Sequence, residues 1–297
     1  MTEVTIQACI DEGEALFNQT QLYFGHGTDN AADESLWLVF YQLQLSWDVD
    51  TAILQEPVAA NDYQAIQQLF KRRVDERIPA AYITGEAWFM GLPFTVNEHV
   101  LVPRSPLAEC IAAEFSPFLP EKTKPQILDL CTGSGCIGIA TAHQLPHAQL
   151  VLSDISPEAI AVARHNIARH GLDERVIALE SDLFAALTGQ RFDLIVSNPP
   201  YVDAEDFESR PPEYRAEPDI ALASGNDGLD FTRRLLREAP EYLEEGGSMI
   251  VELGNSGRHL EAAFPEVPFL WLEFEYGGHG VFVLSREELQ QFAAVFA

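Results

Sequence analysis

The residues most able to do chemistry are Asn198, Pro199, Pro200 and Tyr201, which directly follow the apolar run Phe192 to Ser197. A planar NH2 group, in an amide or an aromatic amine, is a poor nucleophile because its lone pair is delocalised. A site that alkylates such a nitrogen needs acceptors for both N–H bonds. The Asn198 side-chain oxygen can be one and the Pro199 carbonyl the other, while two successive prolines fix φ and bring no donors of their own. Tyr201 would close the slot with an aromatic face. On these grounds Asn198, Pro199, Pro200 and Tyr201 are the candidate catalytic residues, with Asn198, Pro199 and Tyr201 also touching substrate. The tetrapeptide alone reads equally well as a Pro-Pro turn ending a strand, so the decision falls to the segments upstream.

There, an apolar strand from Gln126 to Leu130 runs into Cys131-Thr132-Gly133-Ser134-Gly135-Cys136-Ile137-Gly138, followed by a stretch compatible with a helix. Glycines let backbone approach a ligand, and a helix start offers free N–H groups. A second strand, Leu150 to Ser153, ends in Asp154, 21 residues after Gly133, where a carboxylate can take two ribose hydroxyls. A third, Val176 to Leu179, leads to Ser181-Asp182-Leu183, an acid for an adenine amine and an apolar side chain to cover the ring. Taken singly, Asp154 and Asp182 could each be helix caps or turn acids; three strand ends with this spacing favour a nucleotide cradle.

Gly133, Gly135 and Gly138 fall at the offsets of G-x-G-x-x-G, a spacing that dinucleotide enzymes share, so the glycines alone do not separate a nicotinamide dehydrogenase from other nucleotide-binding enzymes. The loop as a whole resembles motif I of S-adenosylmethionine-dependent methyltransferases. That resemblance implies S-adenosyl-L-methionine as cofactor, with Asp129 near its methionine end, Asp154 at the ribose, and Cys131, Thr132, Gly133, Ser134, Gly135, Asp182, Leu183 and Asn198 completing the cofactor set. Cys131 stands where many relatives carry glycine.

The elements needed to hold these groups are legible as pattern. From Thr5 to about Arg77 apolar residues recur at helical spacing, as in Leu36, Val39, Phe40 and Leu43. This predicts a small helical domain over residues 1–78. From Pro79 to Arg104 the pattern turns aromatic and alternating, predicting a β-hairpin connector over 79–104 that begins near Ala81 and turns at Gly91. Phe89 in that hairpin is placed to reach the mouth of the site and touch substrate. Residues 105–297 alternate strands and helices, the pattern of an α/β doubly wound, Rossmann-like sheet. Ser156-Pro157-Glu158 opens one helix and Gly171 ends it; another is expected from Leu229 to Leu243. Further strands are expected at Ser248 to Leu253, Leu270 to Phe274 and Val281 to Leu284.

Composition narrows the function classes. The chain has 297 residues, 47% of them hydrophobic, and 18 Lys plus Arg against 46 Asp plus Glu, a net charge of −28. Such a surface repels phosphates, so sequence-specific nucleic acid binding is not expected and a basic protein partner suits it better; solubility alone would also account for the acidity. The four cysteines form no C-x-x-C pair and read as reduced thiols. The start, Met1-Thr2-Glu3-Val4, has no basic region ahead of an apolar one, and no run approaches the length of a membrane span, so a soluble cytoplasmic protein is expected. The histidines show no metal spacing, and no metal is expected.

Tyr82-Ile83-Thr84-Gly85, Val100-Leu101-Val102-Pro103-Arg104, the glycine loop, Asn198 to Tyr201, and Leu222 to Asp230, in this order, resemble the protein glutamine N5-methyltransferases over nearly the whole chain from the hairpin onward. The resemblance implies methyl transfer to a glutamine side chain of a protein, with the N-terminal helices binding that protein. One branch of the family acts on peptide release factors and usually carries Pro-Glu-Thr after the arginine. Here Arg104-Ser105-Pro106-Leu107 and Arg210-Pro211-Pro212-Glu213-Tyr214-Arg215 look like the other branch, which methylates the third large-subunit ribosomal protein. A release factor glutamine methyltransferase is the first alternative; a nucleic-acid adenine methyltransferase, which uses the same logic on a flipped base, and a noncatalytic ribosome-assembly factor are the remoter rival readings. The adenine enzyme lacks a basic path; the assembly factor does not explain why Asn198, Asp154 and the glycine loop are all present.

Overall fold

A computed structural model describes residues 4–297. Met1-Thr2-Glu3, used above to judge a leader, lie outside the described residues. Two compact units emerge. Among the described residues the first comprises 4–87, 96–98 and 211–216, and the second 88–95, 99–210 and 217–297.

The first unit is helical: α1 Ile6–Gln19, α2 Ala31–Leu43, α3 Ala60–Asp75 and the short α4 Ala80–Thr84. Thr5 caps α1 by accepting from the Ala8 N–H, and Asn30 caps α2 through Asp33. Phe17, Leu38, Ile66 and Phe70 are fully buried, and Phe17 meets Phe70 edge to face at 5.3 Å. Residues 80–84, expected to begin the hairpin, are helical. Pro79 precedes the turn, Gly85 ends it at φ +72°, and the Ala80 N–H donates to Glu34 at 3.2 Å. Five residues are too few to show a helical period, and Glu34 is remote in sequence.

The hairpin itself is β1 Glu86–Phe89 and β2 Leu92–Thr95. Met90 at φ +50° and Gly91 at φ +74° form its two-residue turn, both left-handed as a tight hairpin requires. The boundary between the units falls inside β1.

In the second unit the chain runs α5 Leu107–Ala112, β3 Gln126–Leu130, α6 Cys136–Gln144, β4 Gln149–Asp154, α7 Pro157–Arg169, β5 Val176–Glu180 and β6 Phe192–Ser197. It continues through α8 Ala204–Ser209, α9 Asp230–Glu238, β7 Leu243–Glu252, α10 Gly257–Ala263, β8 Leu270–Trp271, β9 Val281–Ser285, α11 Arg286–Gln291 and α12 Ala293–Phe296. The helix expected to reach Leu243 stops at Glu238 because Pro240 tightens the chain into a 3-10 turn, and β7 takes over at Leu243. The strand expected from Leu270 to Phe274 keeps only its first two residues.

The seven-stranded sheet has the order β5-β4-β3-β6-β7-β9-β8, with β3 to β7 parallel and β9 antiparallel to β7. Parallel strands are covered on both faces, which is why every residue of β6 is buried. Leu128, Leu130, Ile195, Met249 and Phe282 belong to the core on one side of the sheet. The order reverses between β3 and β6, and a crevice at the carboxyl ends of strands is expected at that switch. The glycine loop leaves β3 there, and Asn198 leaves β6 there.

Candidate active site

A cavity of about 340 Å³ opens at this switch, lined among others by Cys131, Gly133, Asp154, Asp182, Leu183 and Asn198. The loop after β3 takes left-handed backbone three times in five residues: Cys131 at φ +59°, Gly133 at +54° and Gly135 at +84°. Cys131 pays a strain of about 1 to 2 kcal/mol for its side chain there. A Cβ on Gly135 would meet Leu152 at 3.2 Å, whereas one on Gly133 would meet nothing within 4 Å. Gly138, the third glycine of the loop, admits α6 close to the sheet: its Cβ would sit 2.6 Å from Leu152 and 3.0 Å from Asp129 Oδ2.

Asp154 ends β4 with Oδ2 accepting from the Gly133 N–H and Oδ1 from the Ser156 N–H, both at 3.0 Å. Burial raises its carboxyl above the usual range, against those backbone donors. Four acceptor positions less two used leaves capacity for a diol. Ser156 and Pro157 start α7 as expected, Ser156 accepting from Ala159 at 3.1 Å. Leu183, buried at φ +53°, is fixed by Ser181, whose hydroxyl donates to its carbonyl at 2.8 Å. Asp182 is exposed and takes Arg234 Nη1 at 2.9 Å; Arg234, from α9, also lines the cavity and is absent from the sequence reading.

Asp129 does not line the cavity. Strand alternation turns it opposite to Leu128 and Leu130, beneath the loop, where Oδ2 accepts from Thr132 Oγ1 at 2.6 Å and the Gly138 N–H at 2.9 Å. It is fully buried, its Oδ1 has no hydrogen-bond partner among the described residues, and burial raises its carboxyl to about 7. Gly135 likewise shapes the loop from behind; Thr132 and Ser134 line the cavity. Burial pushes the Cys136 thiol up to about 12 and the Cys131 thiol well above its ordinary value, so both are poor nucleophiles.

A second cavity of about 590 Å³ is lined by Ser105, Glu109, Asn198, Tyr201, Glu252 and Tyr276, among others. Asn198 is common to both cavities. Its Oδ1 is buried with no hydrogen-bond partner among the described residues, a costly arrangement unless a donor arrives. Pro200 lines the first cavity and Tyr201 the second, while Pro199 is buried and lines neither with its side chain. Tyr201 is braced on every side. Its carbonyl accepts from Ser256 Oγ at 2.6 Å, its hydroxyl donates to Glu252 at 3.3 Å, and a Cβ on Gly228 would come within 2.2 Å of that carbonyl. Val202 bonds Leu222 and Ser224 through the backbone, so the Leu222 to Asp230 motif supports the tetrapeptide. Phe89 is buried in the hairpin and lines neither cavity. Glu252 is a second site group that sequence reasoning missed: it also ends an apolar strand, but no glycine loop or Pro-Pro pair at a set spacing marks it, as one does for Asp154 and Asn198.

Among the described residues no helix is long and apolar enough to cross a membrane, and no cluster of His, Cys, Asp and Glu could hold a metal.

Residues 113–210 match the family model described as "Methyltransferase small domain". The hMettl16 catalytic domain, solved with MAT2A 3'UTR hairpin 6, is similar in fold, with a TM-score of 0.51 at 16% identity over 76% of this chain and 81% of that one. The ribosomal protein uL3 glutamine methyltransferase of Xanthomonas campestris pv. campestris is 47% identical, over 96% of this chain and 92% of its own. That of Francisella tularensis subsp. tularensis is 45% identical over 93% and 88%. With relatives this similar along almost its whole length, the chain belongs to the family of ribosomal protein uL3 glutamine methyltransferases.

Proposed function

We propose that this chain methylates the side-chain nitrogen of a glutamine in ribosomal protein uL3, with S-adenosylmethionine as donor. The observation that carries the reading is the position of Asn198 in the wall of two cavities, with a buried oxygen that lacks a donor. The first cavity fits the cofactor: Asp154 has spare acceptor capacity for the ribose, Asp182 and Leu183 suit the adenine, and the open face of Gly133 admits close approach of the rest. Bound there, S-adenosylmethionine supplies an electrophilic methyl group on a sulfonium.

The protein's part is positioning. Asn198 Oδ1 accepts one N–H of the glutamine amide and the Pro199 carbonyl the other, which turns the nitrogen toward the first cavity and excludes water from it. Orientation of this kind can replace much of the entropic cost of bringing two reactants together. Residues of the helical unit choose the protein substrate, and the acidic surface, at net charge −28, steers a basic partner toward the enzyme. The working compartment is the cytoplasm, where such a partner is made.

The test is transfer of labelled methyl from S-adenosylmethionine by the purified chain to isolated uL3, a release factor or ribosomal RNA, offered separately. Label on uL3 supports the reading; label confined to the release factor or to RNA replaces it.

A further inference from the structure

Methylation creates a second chemical task besides positioning. Once the amide nitrogen has given its lone pair to the new N–C bond, one N–H proton must leave. Asn198 Oδ1 and the Pro199 carbonyl can accept a hydrogen bond but are far too weakly basic to keep a proton near neutral pH. The groups lining the second cavity include two carboxylates, Glu109 and Glu252, and no histidine. Both oxygens of Glu109 are engaged, by the backbone N–H groups of Glu275 and Tyr276 at 2.9 Å each. Arg104 is spent in a bidentate pair with Glu217, at 2.6 and 2.7 Å.

Glu252 differs. It ends β7 beside the exit of β6, is 6% exposed, and lines the second cavity together with Asn198 and Tyr201. Ser105 Oγ donates to its Oε2 at 2.5 Å and the Tyr201 hydroxyl to its Oε1 at 3.3 Å. Each oxygen therefore keeps a lone pair, and the two donors hold the carboxylate against the Asn198 to Tyr201 loop.

We propose that Glu252 is a further catalytic residue, the base that takes the proton released by the acceptor amide. The inference rests on the glutamine-methylation reading. In the balanced step the nitrogen lone pair forms the N–C bond, the C–S bond breaks with its electron pair going to sulfur, and one N–H bond breaks. The electron pair of that N–H bond stays on nitrogen as the amide lone pair, and the proton, held until then in the hydrogen bond to Asn198 Oδ1 or the Pro199 carbonyl, passes to a Glu252 oxygen. From there it returns to water through the second cavity. Burial raises the Glu252 carboxyl to about 7, against hydrogen bonds from Ser105 and Tyr201 and the charge of Arg104. The titratable or charged groups lining that cavity with it are Arg104, Glu109, Tyr201 and Tyr276. Its protonation thus changes in the range where the enzyme works, as suits a base.

The experiment is the pH dependence of kcat on saturating uL3, for wild type, Glu252→Gln and Ser105→Ala. The wild-type rate should rise with pH along an acid limb near 7. Glu252→Gln should lower kcat about 100-fold and abolish the limb, with KM for uL3 and calorimetric cofactor affinity within about two-fold. Ser105→Ala keeps the carboxylate but removes a bond to its charged form, so the limb should move to higher pH. Independently of turnover, infrared difference spectra of wild type against Glu252→Gln should contain a protonated carboxyl band that titrates near 7. A Glu252→Gln enzyme with wild-type kcat and an intact limb overturns the proposal while leaving glutamine methylation standing. If that variant fails to fold, an unmoved limb in Ser105→Ala overturns it instead. Absence of any uL3 methylation by wild type overturns both readings together.

Discussion

Arg234 Nη1 lies 2.9 Å from Asp182 Oδ1, so the acid at the end of β5 is already held by a cation from α9. Both side chains are about half exposed, and ion pairs in such settings contribute about 0.2 to 1 kcal/mol. Arg234→Ala should therefore weaken cofactor binding by no more than about five-fold, through loss of orientation at Asp182. The loss should shrink as salt rises. Calorimetry at two ionic strengths checks this; a larger, salt-independent loss would mean that Arg234 touches the cofactor itself.

Asp154 carries a heavier share. Its carboxylate fixes the Gly133 and Ser156 N–H groups and keeps capacity for the ribose. Asp154→Ala should cost about 1 to 3 kcal/mol of cofactor affinity, the scale of hydrogen bonds to a charged group. An unchanged dissociation constant would remove the ribose assignment.

Asp129 predicts a pH signature. Its folded carboxyl is raised to about 7 from an ordinary 3.8. A raised carboxyl favours the folded state most fully below its unfolded value, and that advantage is lost as pH rises through the folded value. The melting temperature of wild type relative to Asp129→Asn should accordingly fall between about pH 4 and 7. Comparing the two proteins cancels the general effect of pH on this acidic chain. A flat difference would show that the loop does not depend on the protonation of Asp129.

Within the helical unit, Glu213 is fully buried with one oxygen near Arg73, Arg77 and the Tyr23 N–H, at 3.5, 3.2 and 3.1 Å. Arg73 is buried too and also pairs with Glu34 at 2.8 Å. Removing one member of a buried charge cluster costs about 3 to 5 kcal/mol. Glu213→Ala should lose about that much in denaturant unfolding of this unit while cofactor affinity holds. A loss below about 1 kcal/mol would show that water replaces the carboxylate.

The contrast between Asp154 and Glu252 shows what a sequence discloses. Asp154 and Asn198 were legible because each comes at the end of an apolar strand, Asp154 at a set spacing of 21 residues from the glycine loop and Asn198 directly before two prolines. Glu252, Arg234 and Glu213 take their meaning from partners far along the chain: Tyr201 is 51 residues from Glu252, Asp182 52 from Arg234, and Arg73 140 from Glu213. Asp129 was visible as a candidate, but its place under the loop, where the Gly138 N–H donates to it, follows from the alternation of β3 and not from its residue type. The helix at 80–84 was hidden for a similar reason, its first N–H being held by Glu34.

The central claim is that Asn198 presents a glutamine amide to the cofactor. Its most direct test is tandem mass spectrometry of uL3 after reaction with wild type or Asn198→Ala, with cofactor binding to each measured by calorimetry. Wild type should leave one methyl group on a glutamine side-chain nitrogen. Asn198→Ala should bind cofactor normally yet form that product about 100-fold more slowly, the scale of removing one preorganised polar group. Methyl groups on another residue type, or an Asn198→Ala enzyme as fast as wild type, would contradict the account.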